Sequence, residues 1–240
     1  MTLADKLDRR RTEFRGRLPP EDRQVLAAAV ERLRMLQIVE QGLQVGDPLP
    51  EFILADTDGL TASSDALLAR GPLVVVFIRG PWCPYCSLAL EALDECHPAI
   101  EQLGASLVVI SPVSADELWR PASERSLRLR LLSDPGAAYA RICGVQYEMT
   151  EAHIDLYRRL GWDVGQANAG SGWELPVPAT YVAGSDGVIC YASPSRIGHA
   201  EPSRERSWQP WSASRTLEEP AELAHRGRWP PPGDDRNRSG

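Results

Sequence analysis

The sequence predicts an α/β fold built on a mixed β-sheet, and three observations support this prediction. Residues Leu73–Ile78 form an unbroken apolar run rich in β-branched side chains, which is typical of a central strand buried on both faces. A helical pattern and a second apolar run, Ser106–Ser111, follow it, and together they predict a βαβ unit with parallel strands. Thr180–Ala183 and Val188–Tyr191 flank an Asp-Gly turn and predict a C-terminal β-hairpin.

Helices are predicted ahead of the sheet, over residues 3 to 40. A short first helix ends at Leu18-Pro-Pro20, and a second begins at the acidic pair Glu21-Asp22 and ends at Gly42. We interpret both as ordinary packing helices, because the segment carries no residues with an evident chemical role.

The helix of the βαβ unit begins at Pro84, where the missing N–H of proline is tolerated in the first turn. We expect Pro98 to kink or split this helix and Leu103-Gly104 to end it. The remaining predicted elements are a short strand at Phe52–Leu54, a serine-capped helix at Ser63–Leu68, an edge strand at Leu129–Leu132, a helix from Ser133 toward Cys143, a helix at Thr150–Leu160 and a surface loop at Gly161–Gly172.

Composition places the chain among ordinary globular proteins. With 240 residues, 43% hydrophobic and 25% charged, it is long enough for one sizeable α/β domain with extensions. A net charge of -7 argues against a nucleic-acid surface, and no apolar run approaches the ~18 residues of a membrane span. The charged segment Met1–Arg17 lacks the apolar core of a signal peptide, so we expect a cytoplasmic protein.

The cysteine pair Cys83 and Cys86 stands where the central strand gives way to the helix. A cysteine at a helix N-terminus is stabilised as a thiolate by free backbone N–H groups and the helix dipole. Cys86 follows one turn later, and Arg79, four residues ahead of Cys83, offers a further positive charge unless it pairs elsewhere. A Cys-x-x-Cys motif after a strand is typical of a thioredoxin-like redox pair.

A structural zinc half-site and two incidental core cysteines are the alternatives for this pair. The next ligand types, Cys96 and His97, lie ten residues or more beyond Cys86 on the same helix, which is ~15 Å at 1.5 Å per residue and too far for one metal ion. We therefore favour redox chemistry and expect neither a metal nor another cofactor. Cys96, Cys143 and Cys190 are interpreted as small core residues.

Four motifs in one order resemble a known family. They are Gly-x-x-x-Pro-x-Phe at 46–52, Arg-Gly-x-Trp-Cys-Pro-Tyr-Cys at 79–86, Leu-Ser-Asp-Pro at 132–135 and Val-Pro-Ala-Thr at 177–180. Together they resemble the peroxiredoxin-like branch of the alkyl hydroperoxide reductase/thiol-specific antioxidant (AhpC/TSA) family, over roughly residues 40 to 202. The resemblance implies a thioredoxin-like fold and a domain at 43–202, between an N-terminal helical extension at 1–42 and a tail at 203–240.

The resemblance also implies roles for individual residues. Cys83 resembles the attacking cysteine and Cys86 the cysteine that resolves it. Pro178 resembles the cis-proline that turns the Val177 backbone toward the cysteine pair, a simple trans proline being the alternative. Trp82 is expected to shield the thiolate and receive substrates, or else only to pack. We group Arg79 and Pro84 with these residues as support for the active site.

Two features depart from the family pattern. Members carry Pro-x-x-x-Thr/Ser-x-x-Cys, but the corresponding positions here are Val76 and Gly80, which puts peroxide specificity in question. The segment 203–240 is rich in Arg, Ser, Pro and Trp, where similar proteins have a helix, and we expect it to be disordered. It is either a functional tail or the remnant of a helix whose reading frame has shifted.

We therefore expect a thiol antioxidant enzyme that reduces hydrogen peroxide or alkyl hydroperoxides through Cys83 and Cys86. Thioredoxin, glutaredoxin or a low-molecular-weight thiol would recycle the pair, with no nucleic-acid or membrane partner, and the resemblance is compatible with a homodimer. A protein thiol–disulfide oxidoreductase using the same two cysteines is one alternative. A redox-sensing or scaffold protein with little turnover is the other.

Overall fold

The computed structural model describes residues 2–118, 126–168 and 172–194, and it has the predicted α/β architecture with N-terminal helices and a mixed sheet. The helices are α1 (Leu3–Arg17), α2 (Pro20–Met35), α3 (Ile38–Gln41), α4 (Ser64–Leu68), α5 (Pro84–Gln102), α6 (Ala138–Ile142), α7 (Glu151–Arg159) and α8 (Val164–Ala167). The strands are β1 (Ile53–Asp56), β2 (Thr61–Ser63), β3 (Leu73–Phe77), β4 (Ser106–Ser111), β5 (Arg130–Ser133), β6 (Gln146–Glu148), β7 (Glu174–Pro176), β8 (Ala179–Ala183) and β9 (Ile189–Pro194).

Strand β3 lies near the centre of a seven-stranded sheet with the order β2-β1-β5-β4-β3-β8-β9. It pairs in parallel with β4, as the βαβ prediction requires, and antiparallel with β8, the first strand of the predicted hairpin. Every residue of β3 is buried, because side chains pack on both faces of the sheet. Val74 and Val76 belong to the core cluster that contains α5 and α1 on one face, whereas Val75 and Phe77 belong to the cluster on the other face, where Phe77 stacks on Tyr139.

The N-terminal helices pack beside the carboxyl end of β3. Helix α1 begins at a capping box, in which the Thr2 hydroxyl accepts from the Asp5 amide and the Asp5 carboxylate accepts from the Thr2 amide. Phe14 of α1 stacks on Trp162, which follows α7, with the ring centroids 5.7 Å apart. Helix α2 contacts α7, where Arg159 donates a hydrogen bond to the Asp22 carboxylate. Both helices are therefore fixed to α7 and to the segment after it.

Three predicted elements need correction. Residues 129–132 were predicted as an edge strand, but β5 lies inside the sheet because β1 pairs with it through Ala55 and Asp56. Helix α5 runs through Pro98, so the predicted split is wrong while the predicted kink stays a prediction, and the Asp94 carbonyl, four residues earlier, accepts a hydrogen bond from Arg128. The predicted loop at 161–172 contains α8, capped by Asp163. The predicted tail at 203–240 lies outside the described residues.

Candidate active site

Cys83 occupies the N-cap of α5, one residue before Pro84 at the first helical position. Gly80 makes the turn between β3 and the helix with a φ of +154°, a value that favours glycine. The Cys83 sulfur lies at the start of the helix, close enough to the backbone N–H groups of Tyr85 and Cys86 for them to act on its pKa. Only 2% of the Cys83 surface is exposed. The strand–turn–helix connection therefore presents this sulfur to the interior of the protein.

Arg79 supplies the positive charge beside the sulfur. Its Nη2 lies 3.1 Å from Cys83 Sγ, and its Nη1 donates a hydrogen bond of 3.3 Å to the Tyr157 hydroxyl. The guanidinium is buried and, within the described ranges, forms no ion pair with a carboxylate. A buried charge needs a counter-charge, and the nearest one is a Cys83 thiolate.

Electrostatics favour that thiolate. Burial raises the pKa of Cys83, but a hydrogen bond from the Cys86 thiol, the Arg79 charge and the backbone N–H groups of Cys86 and Tyr85 outweigh it, so that the pKa falls to about 6. Burial, followed by the hydrogen bond to Cys83 and its charge, raises the pKa of Cys86 well above the usual range. At neutral pH Cys83 is therefore an anion and Cys86 a neutral thiol, and these are the protonation states expected of an attacking and a resolving cysteine.

A cavity of about 50 Å³ opens onto Cys83 and Arg79, with room for a few water-sized molecules. Its polar end consists of tyrosine, histidine and arginine side chains, and its walls are largely apolar. The polar lining residues around Cys83 are Arg79, Tyr85, Tyr147, His153 and Tyr157, and the remaining lining residues are Phe14, Arg15, Leu26, Ala29, Val30, Leu33, Pro84 and Trp162. Helices α1 and α2, which were predicted to be ordinary packing helices, therefore form much of the wall above the cysteine.

The structure brings some of the predicted residues together and keeps others apart. Arg79, Cys83 and Pro84 line the cavity, and Cys86 is buried within hydrogen-bonding reach of Cys83. Trp82 does not line the cavity. Its indole packs edge-on against Tyr157, with ring centroids 5.8 Å apart, and so contacts a lining residue on the side away from the cavity.

The predicted cis bond between Val177 and Pro178 is wrong, because no peptide bond in the described residues is cis. The Val177 amide donates a hydrogen bond of 2.7 Å to the Val145 carbonyl, which extends the β6–β7 pairing and engages the N–H that would pair with an incoming peptide. Val177 and Pro178 are both buried and do not line the cavity.

Comparison with known proteins identifies the family. The family model described as "AhpC/TSA family" matches residues 45–192, more than half of the chain. This chain belongs to the AhpC/TSA family. The predicted resemblance is thereby confirmed, and the family identifies the chain as an oxidoreductase, a thiol-dependent peroxidase that reduces peroxides at the expense of a thiol reductant. A search of curated proteins finds no match.

Solved structures of a peroxidoxin, a PrxQ and a thiol peroxidase share the fold. Peroxidoxin BcpB from Mycobacterium tuberculosis aligns with a TM-score of 0.57 at 19% identity, over 77% of this chain and 97% of that protein. A PrxQ variant from Xylella fastidiosa aligns with a TM-score of 0.57 at 15% identity, over 78% and 98%. A thiol peroxidase from Chromobacterium violaceum aligns with a TM-score of 0.51 at 19% identity, over 78% and 89%. The thioredoxin-like fold predicted from the sequence is therefore confirmed.

The missing hydroxyl of the AhpC/TSA motif has a steric explanation. A Cβ atom at Gly80 would lie 2.3 Å from Trp82 Nε1 and 2.8 Å from Val113 Cγ2, so a serine or threonine cannot enter without moving both. The Trp82 indole thus leaves room only for glycine at position 80, where the family has a serine or threonine hydroxyl. Any group that binds a peroxide beside Cys83 has to come from another part of this chain.

Sequence analysis missed three residues at the polar end of the cavity, namely Tyr147, His153 and Tyr157. Tyr157 accepts the hydrogen bond from Arg79, and Tyr147 lies close enough to Arg79 for that charge to act on its pKa. All three are more than sixty positions from Cys83 in the sequence, and buried tyrosines and histidines are common in cores. The sequence offers two indications of burial for these residues: Tyr147 and Met149 alternate with polar residues around β6, and His153 and Tyr157 are four residues apart, on one face of a helix.

None of the helices in the described parts of the chain combines the length and the apolar character that a membrane span requires. Within the same residues, no three His, Cys, Asp or Glu side chains are grouped as metal ligands would be.

Proposed function

We propose that this AhpC/TSA protein reduces hydrogen peroxide or alkyl hydroperoxides with Cys83 as the attacking thiolate and Cys86 as the resolving thiol. The observation that carries the proposal is the contact of 3.1 Å between Arg79 and a Cys83 sulfur whose pKa is lowered to about 6, at the end of a cavity. A thiolate is the form of cysteine that attacks a peroxide.

The proposed reaction has three balanced steps. Cys83 thiolate attacks one peroxide oxygen, the O–O bond breaks, and the leaving alkoxide or hydroxide takes a proton, so that a Cys83 sulfenic acid and an alcohol or water result. The Cys86 thiol then displaces water from the sulfenic acid and forms a Cys83–Cys86 disulfide. A dithiol such as thioredoxin or glutaredoxin, or two low-molecular-weight thiols, reduces this disulfide by exchange and is itself oxidised.

The cavity walls favour an alkyl hydroperoxide over hydrogen peroxide itself. Leu26, Val30 and Leu33 of α2 present aliphatic side chains to the cavity, and Phe14 and Trp162 present aromatic ones. An organic group attached to the peroxide gains apolar contact here that hydrogen peroxide cannot make.

The disulfide-oxidoreductase alternative keeps one observation in its favour, the Cys-x-x-Cys pair itself, which can accept electrons from a substrate thiol or give them to a substrate disulfide. Two observations favour the peroxidase instead. Cys83 is only 2% exposed, and the Val177 amide, which would pair with an incoming peptide, is already bonded to Val145. A small peroxide can enter the cavity as it stands, whereas a folded substrate protein, like a protein reductant in the recycling step, reaches this sulfur only when α1 and α2 move.

Side-by-side assays on one preparation of the full chain test the proposal. With a dithiol reductant, the protein should consume cumene hydroperoxide and hydrogen peroxide much faster than its Cys83→Ser variant does. The Cys143→Ser variant, which removes a buried thiol outside the cavity, is the matched control. Turnover equal to that of Cys83→Ser refutes the peroxidase assignment, and rapid insulin-disulfide reduction would then favour the oxidoreductase. Cys83 alkylation that rises only near pH ~8.5, the free-cysteine value, favours the scaffold alternative.

We also propose the domain division and compartment that the sequence predicts. Residues 43–202 would form the catalytic domain and 1–42 an extension that completes its cavity, with 203–240 as a separate tail. A reducing compartment such as the cytoplasm suits a chain whose five cysteines are all free thiols. Homodimer formation stays a prediction, which sedimentation of the purified chain measures.

A further inference from the structure

Trp82 Nε1 is buried without a hydrogen-bond partner but does not line the cavity. Two further buried polar atoms that lack partners among the described residues belong to residues that line the cavity together with Cys83. They are Arg79 Nε and His153 Nε2, and each residue is only 6% exposed. Buried polar groups in folded proteins are nearly always paired, so two unpaired donors at one place call for an explanation. Both residues line the cavity that ends at Cys83. A polar ligand in that cavity would satisfy them.

His153 belongs to one contiguous group of side chains with the cysteine. Its ring packs edge-on against Tyr157, with the centroids 4.5 Å apart, and the Tyr157 hydroxyl accepts a hydrogen bond from Arg79. Arg79 in turn contacts the Cys83 sulfur. The Thr150 cap fixes α7, and with it His153, because the Thr150 hydroxyl accepts from the His153 amide. The imidazole therefore holds a defined place at the polar end of the cavity.

The imidazole is neutral in this setting. Burial, followed by the nearby Arg79 charge, lowers the pKa of His153 to about 4. The charged groups among the described residues that line the cavity are Arg79, the Cys83 thiolate and Arg15, and of these only Arg79 acts on the pKa of His153, whereas Tyr85, Tyr147 and Tyr157 are neutral. In the tautomer that carries its proton on Nε2, a neutral imidazole donates one hydrogen bond from that atom without adding a charge that would compete with Arg79 for the thiolate.

We propose that His153 Nε2 and Arg79 Nε form a binding subsite for the hydroperoxide group, in place of the hydroxyl that Gly80 and Trp82 exclude. This inference rests on the proposed peroxidase function and adds to it the residue that binds the oxygen atoms. Cys83 thiolate forms a bond to the terminal oxygen as the O–O bond breaks, so the sulfur is oxidised and the peroxide reduced. The negative charge that develops on the leaving oxygen is stabilised by the two N–H donors until a proton from water neutralises it.

His153 is then a catalytic residue, because its N–H contacts the reacting oxygen. A structural histidine at the same place would only fill space against Tyr157. The two roles predict different behaviour for variants that keep the volume of the ring and for variants that keep the donor. His153→Phe retains an edge-on aromatic contact and removes the N–H, whereas His153→Gln retains an N–H at the approximate position of Nε2.

Single-turnover oxidation of the reduced full chain by cumene hydroperoxide tests the subsite. The rate is followed by tryptophan fluorescence, since Trp82 is next to Cys83, and no reductant enters the measurement. We expect His153→Phe to oxidise about 10²-fold more slowly, as for the loss of one donor to a developing oxyanion, and His153→Gln to retain the rate within about tenfold. His97→Phe, on α5 outside the cavity, is the matched control and should oxidise at the wild-type rate.

Iodoacetamide alkylation of the same proteins separates the outcomes. This reaction needs the Cys83 thiolate but no peroxide, so under the proposal His153→Phe alkylates at the wild-type rate. Oxidation within twofold of wild type in His153→Phe overturns the subsite while leaving the peroxidase function standing. An equal loss of oxidation and alkylation also overturns it, because His153 would then act through the fold alone. Failure of the wild-type chain to oxidise with peroxide refutes the proposed function itself.

Discussion

Arg79 and Cys83 form a buried pair in which the guanidinium Nη2 lies 3.1 Å from the sulfur. Each side chain supplies what the other lacks. Arg79 has no carboxylate partner in the described ranges, and Cys83 lies where burial alone would keep it protonated. The thiolate neutralises the arginine, and the arginine holds the thiolate ionised. This interaction thus adds to the effect of the Cys86 hydrogen bond on the reactivity of the cysteine, and it offsets the free-energy cost of burying the Arg79 cation.

Replacing Arg79 with methionine should raise the pKa of Cys83, because burial is then opposed only by the Cys86 thiol and the backbone N–H groups of Cys86 and Tyr85. Alkylation of Cys83 as a function of pH measures this, with a midpoint near 6 expected for the wild type. The control is Arg9→Met, which removes an exposed arginine on α1. An unchanged midpoint in Arg79→Met would show that the helix N-terminus and Cys86 suffice to ionise the sulfur.

Stability should depend on pH through the same group. The folded pKa of Cys83 is about 6 and thus depressed below the unfolded value of ~8.5, so the thiolate's contribution is complete above pH ~8.5 and is lost as pH falls toward 6. Urea unfolding of the reduced protein should therefore show the free energy of unfolding rising between pH 6 and 8.5. Cys83→Ala should lack this rise, and an identical slope in both proteins would exclude Cys83 as its source.

Removing one member of the pair should cost more than removing both. Cys83→Ala leaves the Arg79 guanidinium buried without a counter-charge, a situation that typically costs about 3–5 kcal/mol. Cys83→Ala combined with Arg79→Met removes the charge as well and should recover part of that loss. A double-mutant cycle of unfolding free energies at pH 8 measures the coupling. Additive losses would mean that solvent, and not the thiolate, neutralises Arg79.

Much of the fold and part of the site could be predicted from local sequence. The apolar run of β3 and the proline after Cys83 place the cysteine at the strand–helix junction, because both features act over a few residues. Arg79 is also within that local window. His153 and Tyr157 are not, since they reach Cys83 only after α7 packs against α2 and Trp162. Amphipathic spacing shows that α1 and α2 bury a face, but it does not show that this face closes a cavity.

Pro178 illustrates how a resemblance can mislead. The motif Val-Pro-Ala-Thr matches the family, yet the bond before Pro178 is trans, and the Val177 amide is engaged by Val145. The strand pairing that decides this lies between β6 and β7, two elements of three residues each that no sequence pattern predicted. A strand of three residues has only one or two inward-facing side chains, so it shows too few alternations of apolar and polar residues to be recognised in the sequence.

Gly80→Ser should destabilise the protein and should not increase peroxidase activity, although it restores the family's hydroxyl. The added Cβ would lie 2.3 Å from Trp82 Nε1, and the φ of +154° is unfavourable for serine, so we expect a loss of about 1–3 kcal/mol. Thermal and urea unfolding measure the loss. Gly59→Ser, at a turn where a Cβ meets nothing within 4 Å, controls for strain at positive φ alone. A stable and faster Gly80→Ser enzyme would contradict the steric argument.

Leu33 of α2 should contribute to the choice between an organic and an inorganic peroxide. Its side chain lines the cavity, so Leu33→Ala removes apolar contact with an alkyl or aryl group but leaves the thiolate and its arginine in place. We expect kcat/KM for cumene hydroperoxide to fall about 5-fold relative to that for hydrogen peroxide, which corresponds to ~1 kcal/mol of lost contact. Met35→Ala, an exposed position near the end of the same helix, should leave the ratio unchanged. Equal losses for both peroxides would mean that α2 stabilises the active site without contacting the substrate.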